Sequence, residues 1–200
     1  MTQLPISAPR AGWWPRMLGA YVAGLQRSLV SGDQLIYPAG SREVIPDGRH
    51  DFDFLHGRWQ VHNVRLRERL VGCTDWDEFQ AQVECSPVLG GGGNQEQFQT
   101  QWNGGYHGMT LRLYDPRQRQ WSLYWANRED GVLEPPVVGR FEQGVGRFFG
   151  RDRLHGREVQ VRFRWHDIQA DSAHWEQAFS ADRGQSWETN WHMHFSRVAA

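Results

Sequence analysis

Val159-Gln160-Val161-Arg162-Phe163-Arg164-Trp165 alternates apolar and polar side chains without interruption. Successive side chains of a β-strand point to opposite faces, so this period of two predicts a strand with one buried face. Two later stretches follow the same rule, with the apolar rows Ala173, Trp175, Phe179 and Trp187, Trp191, Met193, Phe195. Three consecutive strands of this kind indicate an all-β protein with an apolar interior.

The same period extends toward the N-terminus as far as residue 51. One row holds Met109, Leu111 and Leu113, and after the turn signal Asp115-Pro116 the next row holds Trp121, Leu123 and Trp125. Short polar or glycine-containing turns separate about ten such stretches. An up-and-down antiparallel β-barrel is the simplest arrangement that pairs every strand edge. We therefore predict a barrel domain over residues 51–200.

Residues 1–50 follow a different pattern. Apolar side chains recur at helical spacing at Leu18, Tyr21, Val22, Leu25 and Leu29. This spacing predicts an amphipathic helix over residues 14–30, followed by a proline- and glycine-containing loop over residues 33–50. The first 50 residues are thus predicted to form a helix and a linker, with the helix lying on the barrel or on a second copy of the chain.

Composition excludes several classes of partner. The formal net charge is −1, which gives no electrostatic basis for binding nucleic acid or an anionic membrane surface. The chain has no lysine, so Schiff-base chemistry on a side chain is excluded. The two cysteines, Cys73 and Cys85, are too few for a disulfide framework and are predicted to be inert packing residues. With no signal-peptide pattern, these features favour a cytoplasmic protein.

The two ends of the predicted barrel resemble the calycin superfamily, which includes lipocalins and intracellular fatty-acid carriers. The resemblance is carried by Gly57-Arg58-Trp59 in the first strand and by Arg197 after the last. It implies that Arg197 covers the Trp59 ring at the barrel floor, in a cation–π contact of about 0.5 to 2 kcal/mol. The wider pattern, including residues 108–116, 135–141 and 175–180, is similar to a bacterial calycin-like family without assigned function.

Tryptophan is the main candidate for a ligand-binding surface, because the chain has 11 of them. Indole rings on the inner face would suit a flat aromatic or lipid-like molecule, or they would simply fill the barrel. The predicted apolar lining consists of Trp59, Met109, Trp121, Trp125, Trp165, Trp175 and Trp191.

Polar residues occupy the opposite face of the last strands, including Arg162, Arg164, His174, Glu176 and His192, with Arg112 and Tyr124 if the register permits. They form either the solvated outside or, if turned inward, a clamp for a carboxylate. We include Arg164, Glu176 and His192 among the candidate ligand-binding residues. The pair His192 and His194 is predicted to be two surface histidines without a metal. The alternatives are a metal site, because both rings point the same way two residues apart, and one axial ligand of a haem as in the calycin nitrobindin.

Three functions remain open from the sequence. The first is binding of a small hydrophobic or aromatic molecule inside the barrel without cofactor or chemistry. The second is an isomerase, cyclase or lyase that uses the cavity, with Glu176 and His192 as acid–base candidates. The third is a structural or interaction protein that forms a homodimer through the N-terminal helix.

Overall fold

The predicted alternation is realised as a closed barrel of ten antiparallel strands in residues 46 to 199, the part of the chain that the computed structural model describes. Each strand pairs with its neighbours along the chain, and β1 also pairs with β10, which closes the ring. The strands are β1 Gly57–Leu66, β2 Trp76–Val88, β3 Gly93–Thr100, β4 Tyr106–Asp115, β5 Gln120–Asn127, β6 Val137–Glu142, β7 Val145–Leu154, β8 Arg157–His166, β9 Ser172–Ser180 and β10 Glu188–Arg197. The predicted all-β, up-and-down barrel is confirmed.

The period of two determines which side chains fill the barrel. On β1, Trp59, Val61, Asn63 and Arg65 are buried, while the residues between them keep some exposure. The pairing register carries this inward row from strand to strand around the ring. The interior therefore combines aromatic rings with several buried polar groups.

One end of the barrel is closed by the short 3-10 helix Asp53–Leu55, and we call it the capped end. Phe52 and Leu55 are fully buried there, and the Trp59 indole Nε1 donates a hydrogen bond to the Leu55 carbonyl at 2.8 Å. The guanidinium carbon of Arg197 lies 4.1 Å from the centre of the Trp59 ring, as the resemblance implied. Arg197 also donates to the Phe54 and His56 carbonyls, so it fastens the cap to the last strand.

The other end is called the distal end, and it contains the end of β1 and the beginning of β2. It also contains the connections over residues 101–105, 128–136 and 181–187. Because strands alternate in direction, Arg65, Tyr106, Trp125 and Trp191 all lie in this half.

The predicted helix over residues 14–30 lies outside the described residues. Within residues 46–199, no helix has the length and apolar character needed to cross a lipid bilayer. Both cysteines are free thiols. Cys85 points into the barrel, where burial raises its pKa to about 12, so at neutral pH it is a packing residue.

Candidate functional site

All six predicted tryptophans point into the barrel, in two groups. Three of them, Trp59, Trp121 and Trp165, lie toward the capped end and are at most 2% exposed. Trp125 and Trp191 lie toward the distal end, and Trp175 links the two groups, since it pairs with Trp165 and its ring contacts that of Trp191. The period of two thus placed every indole of the predicted lining on the correct face.

The other four predicted lining residues lie on the outer face. Met109 pairs with Gln97 and Ala126, and its inward neighbours are Gly108 and Thr110. The prediction that Met109 faces the interior is therefore corrected. On this strand the apolar row faces outward, because the inward row carries Arg112, whose charge is satisfied by a partner inside the barrel.

Arg164, Glu176 and His192 are also on the outer face, because their strand neighbours Trp165, Trp175 and Trp191 point inward. Glu176 and His192 are cross-strand partners, as predicted, with 3.8 Å between Glu176 Oε1 and His192 Nδ1. Their position outside the barrel removes the basis for acid–base catalysis by this pair in the cavity. His194 lies on the same outer face, so neither histidine of β10 can reach a haem inside the barrel.

The interior near the capped end is filled by aromatic rings. Phe52 contacts Trp121, Phe141, Phe148 and Trp165, with ring centres 5.0 to 6.0 Å apart. Phe148 is 0% exposed. This half of the barrel is a packed core, and it corresponds to the filler interpretation of the tryptophans.

A buried ion pair lies next to this core. Arg112 Nη2 donates to Glu96 Oε2 at 2.6 Å, and Arg112 Nη1 donates to the Asn94 side chain at 3.1 Å. Both charged side chains are at most 6% exposed. The sequence grouped Arg112 with Tyr124, but the register places Arg112 inside and Tyr124 outside.

Several inward side chains toward the distal end are only partly buried. Tyr106, Thr110, Trp125 and Phe163 point inward, yet each keeps partial solvent exposure. The Tyr106 hydroxyl and the Trp125 indole nitrogen are themselves buried, so the exposure of these two residues lies elsewhere on them. The distal half therefore presents partly exposed aromatic rings, in contrast to the fully buried rings near the cap.

Arg65 places a positive charge in this half. Its side chain is almost fully buried, and its guanidinium carbon lies 4.6 Å from the centre of the Trp191 ring and 5.7 Å from that of Trp102. Burial and the nearby Arg69 lower the pKa of Arg65 to about 9, so it is still a cation at neutral pH. Trp102 in turn stacks on Phe79, with ring centres 4.3 Å apart.

Several acidic residues lie at the distal end, where Asp152 and Glu188 are close to Arg69. Burial, together with Asp152 and Asp130, raises the pKa of Glu134 to about 7. Burial also raises the pKa of Asp152, which faces the interior from β7, while Arg69 acts in the opposite direction. Glu134 thus gives the distal end a charge that responds to pH near neutrality.

Sequence reasoning missed Arg65, Tyr106 and Trp102. Arg65 had a detectable signal, because it is six residues after Trp59 and an even spacing puts it on the same face. Tyr106 is likewise six residues from Arg112, so the even spacing puts these two side chains on one face. Trp102 had no such signal, since it lies in a short 3-10 turn between β3 and β4.

Two concavities open to the surface of the described residues away from the distal interior. One of about 500 Å³ is at the capped end and is lined by Phe54, Phe141 and Arg140, among others. The other, of about 580 Å³, runs along the outside of β1, β2 and β3 and is lined mainly by glutamine and glutamate. Neither is lined by Arg65, Trp125 or Trp191.

Comparison with known proteins adds information about the fold only. No family model matches the chain, and no curated protein sequence matches it. Among solved structures, it is similar to the S-type phycobiliprotein lyase CpeS from Guillardia theta, with a TM-score of 0.53, 10% identity, and coverage of 78% of this chain and 94% of that one. A protein of unknown function from Nostoc punctiforme gives a TM-score of 0.22 at 8% identity, covering 77% of this chain and 100% of that one, and this score is too low to indicate a shared fold. The chain thus forms a ten-stranded antiparallel barrel that resembles a phycobiliprotein lyase.

Proposed function

We propose that the distal half of the barrel binds a small, flat, conjugated or aromatic molecule that carries an anionic group. The observation that carries this proposal is the position of the Arg65 guanidinium against the Trp191 and Trp102 rings, beside inward aromatic side chains that keep partial exposure. Ligand sites in proteins are typically apolar walls with a few polar groups that fix orientation.

The aromatic part of the ligand is supported by the ring surfaces in this half. Tyr106 and Trp125 are stacked with an interplanar angle of 17°, and Phe163 and Trp175 meet edge to face at 4.9 Å. A planar conjugated molecule can stack on such rings and gains about 0.5 to 1.5 kcal/mol per aromatic pair beyond the area it buries.

The anionic part is supported by Arg65 and Arg69. A guanidinium is planar and presents several donors, so it binds a carboxylate with two parallel hydrogen bonds. The buried position of Arg65 strengthens such a bond, because little water competes for the donors.

The test uses biliverdin as the probe, because it is a flat conjugated bilin that carries carboxylates. A bilin is chosen because the similar solved structure is that of a phycobiliprotein lyase. We expect saturable binding at one equivalent, followed by tryptophan fluorescence quenching and by a change in the visible absorption of the probe. Arg65→Met is expected to weaken binding roughly tenfold or more, because a hydrogen bond to a charged group is lost.

Arg162→Met is the matched control. Arg162 lies over the Trp187 ring at 4.8 Å, much as Arg65 lies over Trp191, but on the outer face. Its replacement is expected to leave biliverdin binding unchanged. Equal weakening by both variants would place the ligand elsewhere, and the absence of saturable binding of biliverdin and of any retained molecule in native mass spectra of protein from its own host would refute the proposal.

A further inference from the structure

The outer face of β8, β9 and β10 carries a cluster of histidines that the proposed function does not use. His166 pairs with His174 across β8 and β9, and His174 pairs with His194 across β9 and β10. The ring centres are 4.4 Å apart in the first pair and 4.2 Å apart in the second. Glu176 is two residues from His174, so its side chain joins the same face.

Three of these side chains converge on one point. One possible ligand atom from each of His166, His174 and Glu176 lies within 4.8 Å of the other two. Glu176 Oε1 is 3.3 Å from His166 Nε2, but the two atoms are not aligned for a hydrogen bond. The Nε2 atoms of His166 and His174 are both buried and form no hydrogen bond with the residues the structure describes. Buried polar atoms are nearly always paired, so two such nitrogens side by side indicate a missing partner.

Neighbouring charges hold two of these groups in orientation. His166 Nδ1 is 2.7 Å from Asp167 Oδ2, which leaves His166 Nε2 as the free lone pair when the ring is neutral. Arg164 Nη1 contacts Glu176 Oε2 at 3.4 Å and so leaves Oε1 for the cluster. A carboxylate behind a ligating histidine is the usual arrangement around a metal ion in proteins.

Burial favours the neutral form of three histidines on this face, His174, His192 and His194. Burial, followed by the nearby His194 and His166, lowers the pKa of His174 to about 4. Burial also lowers the pKa values of His192 and His194. A neutral imidazole has a lone pair to donate, whereas a protonated one does not.

We propose that His166, His174 and Glu176 form a binding site for a divalent transition-metal ion of the zinc class on the outer face of the barrel. Two imidazoles and one carboxylate are a ligand set that suits zinc, and the fourth position is open to water or to His192. Bonds of about 2.0 to 2.2 Å require the ligand atoms to approach one another by about 1 Å, which side-chain rotation on the surface can supply. The site is separate from the barrel interior, so it does not depend on the proposed function.

The test is a titration of untagged, chelator-treated full-length protein with zinc chloride by calorimetry, and with cobalt chloride by visible absorption. We expect one equivalent of each metal to bind, and the cobalt spectrum to show the intense bands of a four- or five-coordinate ion. His174→Gln and Glu176→Gln are expected to weaken zinc binding by roughly 100-fold, because loss of a ligand costs more than the 10- to 100-fold that loss of an outer partner costs.

His62→Gln is the matched control. His62 lies on the same outer face, with its ring centre 6.0 Å from that of His194, but it is not one of the three converging side chains. The His62→Gln variant should bind zinc with the affinity of the wild type. Thermal unfolding in the presence of chelator checks that all variants fold equally. X-ray absorption of the wild-type zinc complex supplies a measurement that needs no variant, and it should show two imidazole ligands, or three if His192 fills the fourth position.

Three results would overturn the proposal. They are the absence of binding at one equivalent, wild-type affinity in both His174→Gln and Glu176→Gln, and a zinc complex with no imidazole or with four. Equal weakening by His62→Gln would also count against it, because it would indicate diffuse binding by the whole histidine face.

Discussion

The ion pair between Arg112 and Glu96 is the clearest case of a single contact that shapes the interior. Both side chains are nearly fully buried, and Asn94 and Thr110 take up hydrogen-bonding positions around them. Removing one partner leaves a buried charge uncompensated. We therefore expect Glu96→Gln to lower the free energy of unfolding by about 3 to 5 kcal/mol, as measured by urea denaturation.

A double variant separates the contact from the packing. Glu96→Leu combined with Arg112→Met removes both charges and keeps similar volume, so its stability should lie much closer to that of the wild type. A double variant that is as unstable as Glu96→Gln would show that shape, rather than charge, dominates at this position.

Glu134 gives the molecule a pH-dependent stability. Its pKa in the folded protein is about 7, above the ordinary 4.5, so the folded state binds this proton more tightly than the unfolded chain. The stabilisation is therefore fully present below about pH 4.5 and is lost as the pH rises through about 7. We expect Glu134→Gln to raise the free energy of unfolding at about pH 8 by about 1 to 3 kcal/mol and to change it little at about pH 4.

Glu129→Gln serves as the control for this prediction. Glu129 is on the same connection between β5 and β6, but its side chain is 41% exposed and contacts Arg128. Replacing Glu129 should change the free energy of unfolding by the same small amount at about pH 8 and at about pH 4. A Glu134→Gln variant with the same pH profile as the wild type would show that other buried acids, such as Asp152, control the dependence.

On β4 the apolar side chains Met109, Leu111 and Leu113 face outward, and Gly108, Thr110 and Arg112 face the interior. Gly108 faces inward, and a Cβ atom there would come within 2.2 Å of the Trp125 ring, so the position favours glycine. We expect Gly108→Ala to cost about 1 to 3 kcal/mol of stability, since the rigid indole has to move. Met109→Gln, one residue along and facing outward, should change stability by less than about 0.5 kcal/mol. A larger loss in Met109→Gln than in Gly108→Ala, measured by thermal unfolding, would reverse the assigned faces.

Strand β4 also shows which features of the fold can be predicted from the sequence and which cannot. The period of two predicted the strands, the turn after Asp115 and the closed barrel, because each depends on local alternation and short connections. It could not choose the inward face of β4, since Arg112 is buried only because Glu96 on β3 meets it there. The irregularity between Thr189 and Trp191 was likewise invisible, and it turns Asn190 into the interior, where Gln177 donates to it.

At the scale of the whole molecule, the barrel has three parts with different chemistry. The capped half is a packed aromatic core, the distal half has partly exposed aromatic rings beside a buried cation, and the outer face of the last strands carries the histidine cluster. The sequence predicted the tryptophans for the first two parts but not the division between them. That division depends on the cap formed by Asp53–Leu55, which fills one end only.

The division into halves predicts that stability and ligand binding can be changed separately. Phe148→Leu, in the capped core, should lower the free energy of unfolding by about 1 kcal/mol or more and leave biliverdin affinity unchanged. Trp125→Leu, in the distal half, should weaken biliverdin binding roughly 2- to 10-fold through loss of ring stacking, with a smaller effect on stability because the indole is only partly buried. Both quantities can be measured on the same samples by urea denaturation and fluorescence titration. If the two variants lowered affinity equally, the capped and distal halves would respond as one unit, and the ligand could not be assigned to the distal space.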